Sequence, residues 1–420
     1  MGSQKCQDFK EPACKKFTLD HALARPFKPY HCRMDPFDPV NALLERIRVA
    51  ATSQHKPVLR LRGSGSKDFL GAGLHGEVLD TRSLSGIINY EPSELVVTVL
   101  TGTPLSELET ALAAAHQHLA FEPPHFGAGT TVGGMLASGL SGPARATAGA
   151  VRDFVLGARL INGLGEHLTF GGQVIKNVAG YDLSRLLCGS WGTLGLITEV
   201  SLKVLPLAPA EATLHCSGIG QASALALLHR WGGQPLPLNA SYWLHDTSAR
   251  PAADHLYVRL RGAIAAVQAA IPRMLGEMQA AGGAAHQMDN AQAAPDWRAC
   301  ADQTLPFFTQ APSPQHGLWR LSLPQTAPVL DLPYPVFVEW QGAQRWLWAP
   351  ADAAPALRQA AQAVGGHATL FRTSSAGGDT DKSPGVYSPL PPVQRRIQTE
   401  LRRQFDPHGL FATGRMGIAA

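Results

Sequence analysis

Apolar residues in PVNALLERIRVAA (39–51) recur at helical spacing, and PVLRLRG (57–63) then reads as a short strand closing on glycine. Three more strand-like runs follow: EVLDTRS (77–83), GIINYEP (86–92) and ELVVTVLTGT (94–103). Thr103 is placed to cap a helix over about 104–118, with Pro104 in its first turn. FVLGARLING (154–163) and HLTFGG (167–172) make a strand pair joined by an Asn-Gly turn. Asp182 caps a short helix, SRLLC, which Gly189 ends, and GLITEVSLKVLP (195–206) alternates as a long strand.

Beyond Pro206 the texture changes. Residues 207–390 are rich in Ala, Pro and Trp, with alanine-heavy helical stretches at 263–281 and 352–364. The tail PVQRRIQTELRRQFDPHGLFATGRM (392–416) predicts one basic helix and a turn-rich end. No repeat of fixed period is present. The pattern divides into a poorly patterned extension (1–32), a first domain (33–206), a second domain (207–391) and a C-terminal helix with tail (392–420). Strands without strict βαβ alternation argue an α+β fold rather than a doubly wound sheet.

Composition narrows the classes. The 420 residues carry a net charge of +4 and no dense Lys/Arg block, which argues against a nucleic-acid partner. No run of 18 uncharged apolar residues predicts a membrane span. The N-terminus has no apolar core segment for a signal peptide, and Cys6 stands where a myristoylation motif wants Ser or Thr. The six cysteines form no CxxC pair, so neither a zinc site nor an iron–sulfur cluster is predicted. Scattered cysteines fit a reducing compartment. The expectation is a cytoplasmic chain that meets the inner membrane only through a complex.

Three glycine-rich segments carry the candidate chemistry. The first, Gly63-Ser64-Gly65-Ser66-Lys67, ends a strand; its backbone N–H groups can hold phosphate oxygens, or it is a surface turn. It is no Walker loop, since GxxxxGK[ST] is absent. The second runs from Phe126 through Thr131, Gly133, Gly134, Ser138 and Gly139 to Gly142. Gly127, Gly129 and Gly133 with Asp153 tempt a dinucleotide-fold reading. Glu122-Pro123-Pro124-His125 is a poor central strand, however, and Gly139, Gly142 and Pro143 cut short the helix that fold needs. A helix start near Thr131–Gly134 could still offer free N–H groups to a pyrophosphate. The third spans Lys176-Asn177-Val178-Ala179-Gly180-Tyr181-Asp182 and then Gly189 to Glu199, and reads otherwise as a packed helix–strand corner.

The ordered set RGSGS, TVGGMLASGLSGP, VRDFVLG, KNVAGYDLSRLLCGS and GTLGLITE resembles the vanillyl-alcohol-oxidase/p-cresol-methylhydroxylase (PCMH-type) class of FAD domains. Within that class FEPPHFG, VIKNVAGYDLSRL, LPFF, LWRLSLP, GGHAT and GRM are similar to the FAD-binding subunits of bacterial glycolate oxidase (glycolate dehydrogenase), over about residues 35–416. The resemblance implies FAD held between two α+β subdomains, a smaller α+β cap over it, and a C-terminal tail returning to the FAD domain. It implies Gly63, Ser64, Gly65, Ser66 and Lys67 on the pyrophosphate. Thr131, Gly133, Gly134, Ser138, Gly139 and Gly142 would line pyrophosphate and flavin, Asp153 would lie near the flavin, and Gly192, Gly195 and Ile197 would close around the adenosine half. It also implies oxidation of glycolate to glyoxylate, a sister FAD-binding catalytic subunit, an iron–sulfur subunit and quinone.

Two departures matter. Some relatives link FAD covalently through His or Cys; the matching loop near Ser66 has neither, so non-covalent FAD is expected, with His75 a loop histidine. Catalytic relatives also carry an HxGDGNxH-like cap motif whose histidines hold a metal. Here the nearest stretch is Gly365-Gly366-His367-Ala368-Thr369, so no metal and no catalytic residue is assigned. His116 and His118, two apart on an expected helix, make a poor ligand pair. Three functions stay open: a subunit that oxidises the 2-hydroxy acid, an FAD-binding electron-relay or assembly subunit, or a solitary FAD oxidoreductase of another substrate. Arg395, Arg396, Arg402 and Arg403 fall in two i,i+7 pairs, either a solvated helix face or a dock for an acidic partner.

Overall fold

The computed structural model describes residues 38–172, 182–247 and 251–417. Lys176 to Tyr181 of the third glycine-rich segment lie outside the described residues. Helix α1 (Pro39–Thr52) buries Leu43, Leu44, Ile47 and Ala50 at helical spacing. It packs on a parallel pair, β1 (Leu59–Arg62) and β2 (Glu77–Asp80), together with Leu410 and Phe411 of the tail. The rest of the first half is a five-stranded antiparallel sheet with the helices that cover it. In chain order the elements are β3 (Ile87–Glu91), β4 (Val96–Leu100), α2 (Leu105–Ala114), a two-residue β5 (Gln117–His118), α3 (Val132–Ser138), α4 (Arg145–Ala148), β6 (Val155–Ile161), β7 (His167–Gly171), α5 (Leu183–Leu186), β8 (Leu196–Lys203) and β9 (Leu205–Pro206), with β5 and β9 paired as a separate two-stranded sheet. The sheet order is β3-β4-β8-β6-β7. Val97, Val99 and Val200 from the sheet meet Leu108, Leu112 and Leu136 from α2 and α3, all fully buried; each leucine so buried contributes about 1.5–3 kcal/mol.

The second half builds one eight-stranded antiparallel sheet. Its elements are β10 (Ala210–Ser217), α6 (Gln221–Gly232), β11 (Leu238–Asp246), β12 (Ala253–Gly262), α7 (Ile264–Ala280), β13 (Ala284–Met288), α8 (Asn290–Asp302), α9 (Pro306–Thr309), β14 (His316–Ser322), β15 (Val336–Glu339), β16 (Gln344–Pro350), α10 (Ala354–Ala363) and β17 (His367–Arg372). The strand order is β13-β10-β12-β11-β15-β16-β14-β17. Helices α6 and α7 bury Leu228, Trp231, Met274 and Met278 on one part of it, and α10 seals another with Leu357 and Ala361. Helix α11 (Pro392–Phe405) then leads into the tail. The architecture is α+β, as the strand pattern predicts.

Local expectations fare unevenly. Asp182 caps α5, accepting from the Arg185 N–H at 3.3 Å. The expected helix over 104–118 instead ends at Ala114. His116 takes a positive φ of 54°, and Gln117 and His118 pair with Pro206 and Leu205, so the two histidines do not share a helix. Thr103 does not cap α2: its hydroxyl donates to Leu100 O at 2.7 Å and accepts from Gly86 N–H at 2.8 Å, tying two strand ends together. The β6–β7 turn is longer than a two-residue Asn-Gly turn. Asn162 Oδ1 accepts from the Leu164 and Glu166 N–H groups, and Gly165 supplies the positive φ of 71°.

Candidate functional site

Strand β1 delivers the chain into the loop Gly63–Lys67. Arg62 Nε donates to Asp68 Oδ2 at 2.7 Å and pins the loop's two ends together. Gly65 turns it with a φ of 78°, a left-handed geometry that a side chain would strain. Thr130 Oγ1 donates to Ser66 Oγ at 2.8 Å and fixes the crest. The N–H groups of Gly63, Ser64, Gly65 and Lys67 donate to no acceptor among the described residues. Unpaired amides gathered in one turn make an anion-binding concavity.

Two cations reach the same loop. Lys67 is 6 % exposed and has no carboxylate within ion-pair distance among the described residues. Burial, and then the Arg415 charge, pull its ammonium down to about 8. Arg415 comes from the far end of the chain. Its Nε donates to Leu70 O at 3.1 Å, its Nη2 donates to Lys67 O, and its guanidinium stacks 4.3 Å from the Trp191 ring. The GRM phrase was part of the family resemblance, but nothing in the sequence placed Arg415 at this loop; the only local signal is a cation between two glycines near the terminus.

The start of α3 forms the opposite wall, and here an expectation fails. The N–H groups of Val132, Gly133 and Gly134 are not free: they donate to Thr103 O, Thr101 O and Thr131 Oγ1, at 2.9, 2.6 and 3.1 Å. Two carbonyls from the β4–α2 connection have filled the helix start, so these three amides are not available to a ligand. The glycines of this wall serve close approach. A Cβ on Gly133 would meet the Cβ and carbonyl oxygen of Thr101 at 2.9 Å, and one on Gly63 would meet Thr131 Oγ1 at 2.5 Å.

Gly63, Ser64, Gly65, Ser66, Lys67, Thr131, Gly133, Gly134, Gly192, Gly195 and Ile197 thus line one cleft, with Trp191 and Arg415. Among the described residues its lining holds no His or Cys. The donor set fits the pyrophosphate of FAD: amides without partners, a buried ammonium and a guanidinium, with glycines where a dinucleotide must lie close. Ser138, Gly139 and Gly142 line a second cavity that shares Trp191 with the cleft. Asp153 is in neither. Its carboxylate accepts from Ala150 N–H at 2.8 Å, and it lines a third hollow that shares Arg145 and His367 with the second. His75 donates its backbone N–H to Thr413 O. Among the described residues no three His, Cys, Asp or Glu side chains gather to hold a metal ion.

Comparison with known proteins agrees with this geometry. The FAD binding domain family matches residues 40–171. The chain is 42% identical to the glycolate oxidase subunit GlcE of Escherichia coli over 375 residues, covering 89% of this chain and 96% of that one. It is 32% identical over 165 residues to the glycolate oxidase subunit GlcD of Bacillus subtilis, 39% of this chain and 35% of that one. Solved alkyldihydroxyacetonephosphate synthase shares the fold, with a TM-score of 0.61 at 14% identity over 88% of this chain and 74% of that one. The chain is an FAD-binding flavoprotein, and it belongs to the glycolate oxidase subunit GlcE family.

Proposed function

We propose that this chain is a flavoprotein subunit of a heteromeric glycolate dehydrogenase, holding FAD without a covalent link and oxidising glycolate to glyoxylate. The observation that carries the reading is the convergence of four unpaired amides, Lys67 and Arg415 on one cleft. Gly63 to Lys67 would hold the pyrophosphate, Thr131, Gly133 and Gly134 would back it, and Gly192, Gly195 and Ile197 would close on the adenosine half. Bound FAD supplies a two-electron acceptor. The residues of this chain neutralise its phosphates, exclude water from them and orient it. Glycolate loses two electrons and two protons in becoming glyoxylate, and the electrons leave through an iron–sulfur partner subunit. The absence of His and Cys from the loop Gly63–Lys67 supports non-covalent binding.

Helix α11 supports a partner subunit. Its apolar residues Val393, Ile397, Leu401 and Phe405 recur every four positions, and only the last two pack on the core. Val393 and Ile397 are 70% and 55% exposed, flanked by Arg395, Arg396 and Arg403 with Glu400 as the one acid of the helix. A ridge of that kind suits an acidic, apolar-floored groove on the sister or iron–sulfur subunit. No helix among the described residues is long and apolar enough to cross a membrane, so we place any membrane contact in the complex.

The second reading, a flavin subunit that relays electrons, is favoured by the absence of a three-ligand metal group among the described residues. The purified chain tests the cofactor: a flavin spectrum whose chromophore passes into the acid supernatant is expected, and flavin that stays with precipitated protein would overturn the non-covalent assignment. The two readings part on whether glycolate reduces the isolated FAD-loaded chain.

A further inference from the structure

The second cavity is lined by polar atoms that the protein leaves unsatisfied. Nε of Arg320, Oη of Tyr387 and Oε1 of Gln303 and of Gln344 are all sealed from solvent, and none has a hydrogen-bond partner. Buried polar atoms in folded proteins are nearly always paired, so four orphans on one cavity mark where a ligand's own polar atoms belong. The backbone sets them in register. Arg320 on β14 pairs with Thr369 on β17, and Thr369 bridges in turn to Tyr387. On the other side of β14, Gln344 of β16 lies opposite Ser322, two residues from Arg320 along the same face.

The charge is one-sided. Neither Arg320 nor Arg145 has a carboxylate within ion-pair distance among the described residues. Arg145 lies 4.3 Å from the Trp340 ring and Arg320 lies 5.6 Å from the Phe371 ring, so both guanidinium faces are covered and their edges remain to donate. Burial pulls Arg320 down to about 10, still charged at neutral pH. The acid on this wall, Glu339, is already committed: it accepts from Trp346, Gln344 and Cys300. Burial pushes its carboxyl up, against the pull of those three donors. Because Gln344 donates its Nε2 to Glu339 at 3.0 Å, its Oε1 is fixed as an acceptor toward the cavity.

We infer that this cavity is a binding site for a small hydroxy-carboxylate anion, its carboxylate taken by Arg320 and Tyr387 and its hydroxyl donated to the side-chain oxygen of Gln344. The inference rests on the proposed function, since it puts the acid in the chain that binds the flavin. It makes Arg320 and Tyr387 the specificity residues for the anionic end.

The test uses the full-length FAD-loaded chain, with oxalate as the unreactive carboxylate probe and glycolamide as the neutral control, both titrated by calorimetry. Oxalate is expected to bind and glycolamide to bind at least about tenfold more weakly. Arg320→Met is expected to weaken oxalate about tenfold or more with the FAD content unchanged. Tyr387→Phe removes one hydroxyl that supports no fold contact, and should weaken oxalate about threefold to tenfold. FAD-loaded protein that binds no oxalate, or two variants that bind it as wild type does, would overturn the inference alone. A chain that takes up no FAD would instead overturn the functional reading.

Discussion

Nη2 of Arg259 donates to both carboxylate oxygens of Glu122, at 2.6 and 2.7 Å. Arg259 is on β12 in the eight-stranded sheet, and Glu122 precedes the second glycine-rich segment of the first half. Arg261 adds a contact to Glu122 at 2.8 Å, and Ala144 N–H donates to it at 3.1 Å. One carboxylate therefore joins the large sheet to the chain that lines both cavities. Burial alone would raise the Glu122 carboxyl; Arg259 and Arg261 outweigh it and hold it below the ordinary value of 4.5. Glu122→Ala would strip the buried Arg259 of its carboxylate, leaving it Asn239 Oδ1, while Arg261 keeps Glu211, and should cost about 3–5 kcal/mol in urea or thermal unfolding. A depressed carboxyl gives stability above its unfolded value that is lost as pH falls through the folded one. The wild type should thus lose stability below 4.5 more steeply than Glu122→Gln.

Lys67 should make FAD binding depend on pH. With its ammonium at about 8 in the FAD-free protein, binding a pyrophosphate takes up a proton above that pH. Affinity should be flat below pH 8 and fall by up to about tenfold per unit above it. Lys67→Met should bind more weakly and lose the slope, as read by flavin fluorescence quenching. The stability of the FAD-free chain runs the other way: a lowered lysine favours folding more as pH climbs from about 8 toward 10.5. A slope unchanged in Lys67→Met would remove Lys67 from the phosphate site.

Gly63→Ala tests the approach between loop and helix. The new methyl would sit 2.5 Å from Thr131 Oγ1, the atom that caps α3 by accepting from Gly134 N–H. Overpacking together with a disturbed cap should lower stability by about 1–3 kcal/mol and reduce retained FAD. Retention and melting temperature equal to wild type would show that the contact is slack.

The ridge on α11 makes a separate prediction. Ile397→Asp, at an exposed position, should leave FAD content and melting temperature unchanged while reducing co-purification of the partner subunits. Co-purification at the wild-type level would move the partner face elsewhere.

The five-stranded sheet was legible because its strands are short β-branched and apolar runs buried on both faces, as in Val96–Leu100 and Leu196–Lys203. The eight-stranded sheet was not, since charged residues occupy its inward positions. Arg259, Glu339 and Arg345 are 2%, 4% and 1% exposed, each held by partners that lie elsewhere in the chain; Arg345, for example, donates from Nη1 and Nη2 to Pro328 O and Ala327 O. A period-two pattern fails wherever burial is made tolerable by long-range pairing. The same limit applied at the site. Glycine spacing marked the 63–67 loop, but not that the Thr101 and Thr103 carbonyls would occupy the α3 start, nor that Arg415 would reach the loop. The orphaned atoms of Arg320 and Tyr387 are visible only once β14 and β17 are paired.

The most direct measurement is an anaerobic titration of the purified FAD-loaded chain, free of other subunits, with glycolate, followed by flavin absorbance near about 450 nm. Bleaching that glyoxylate formation matches mole for mole is the result expected. Flavin that is fully bound yet keeps its oxidised spectrum at saturating glycolate would contradict oxidation by this chain and leave it the relay role.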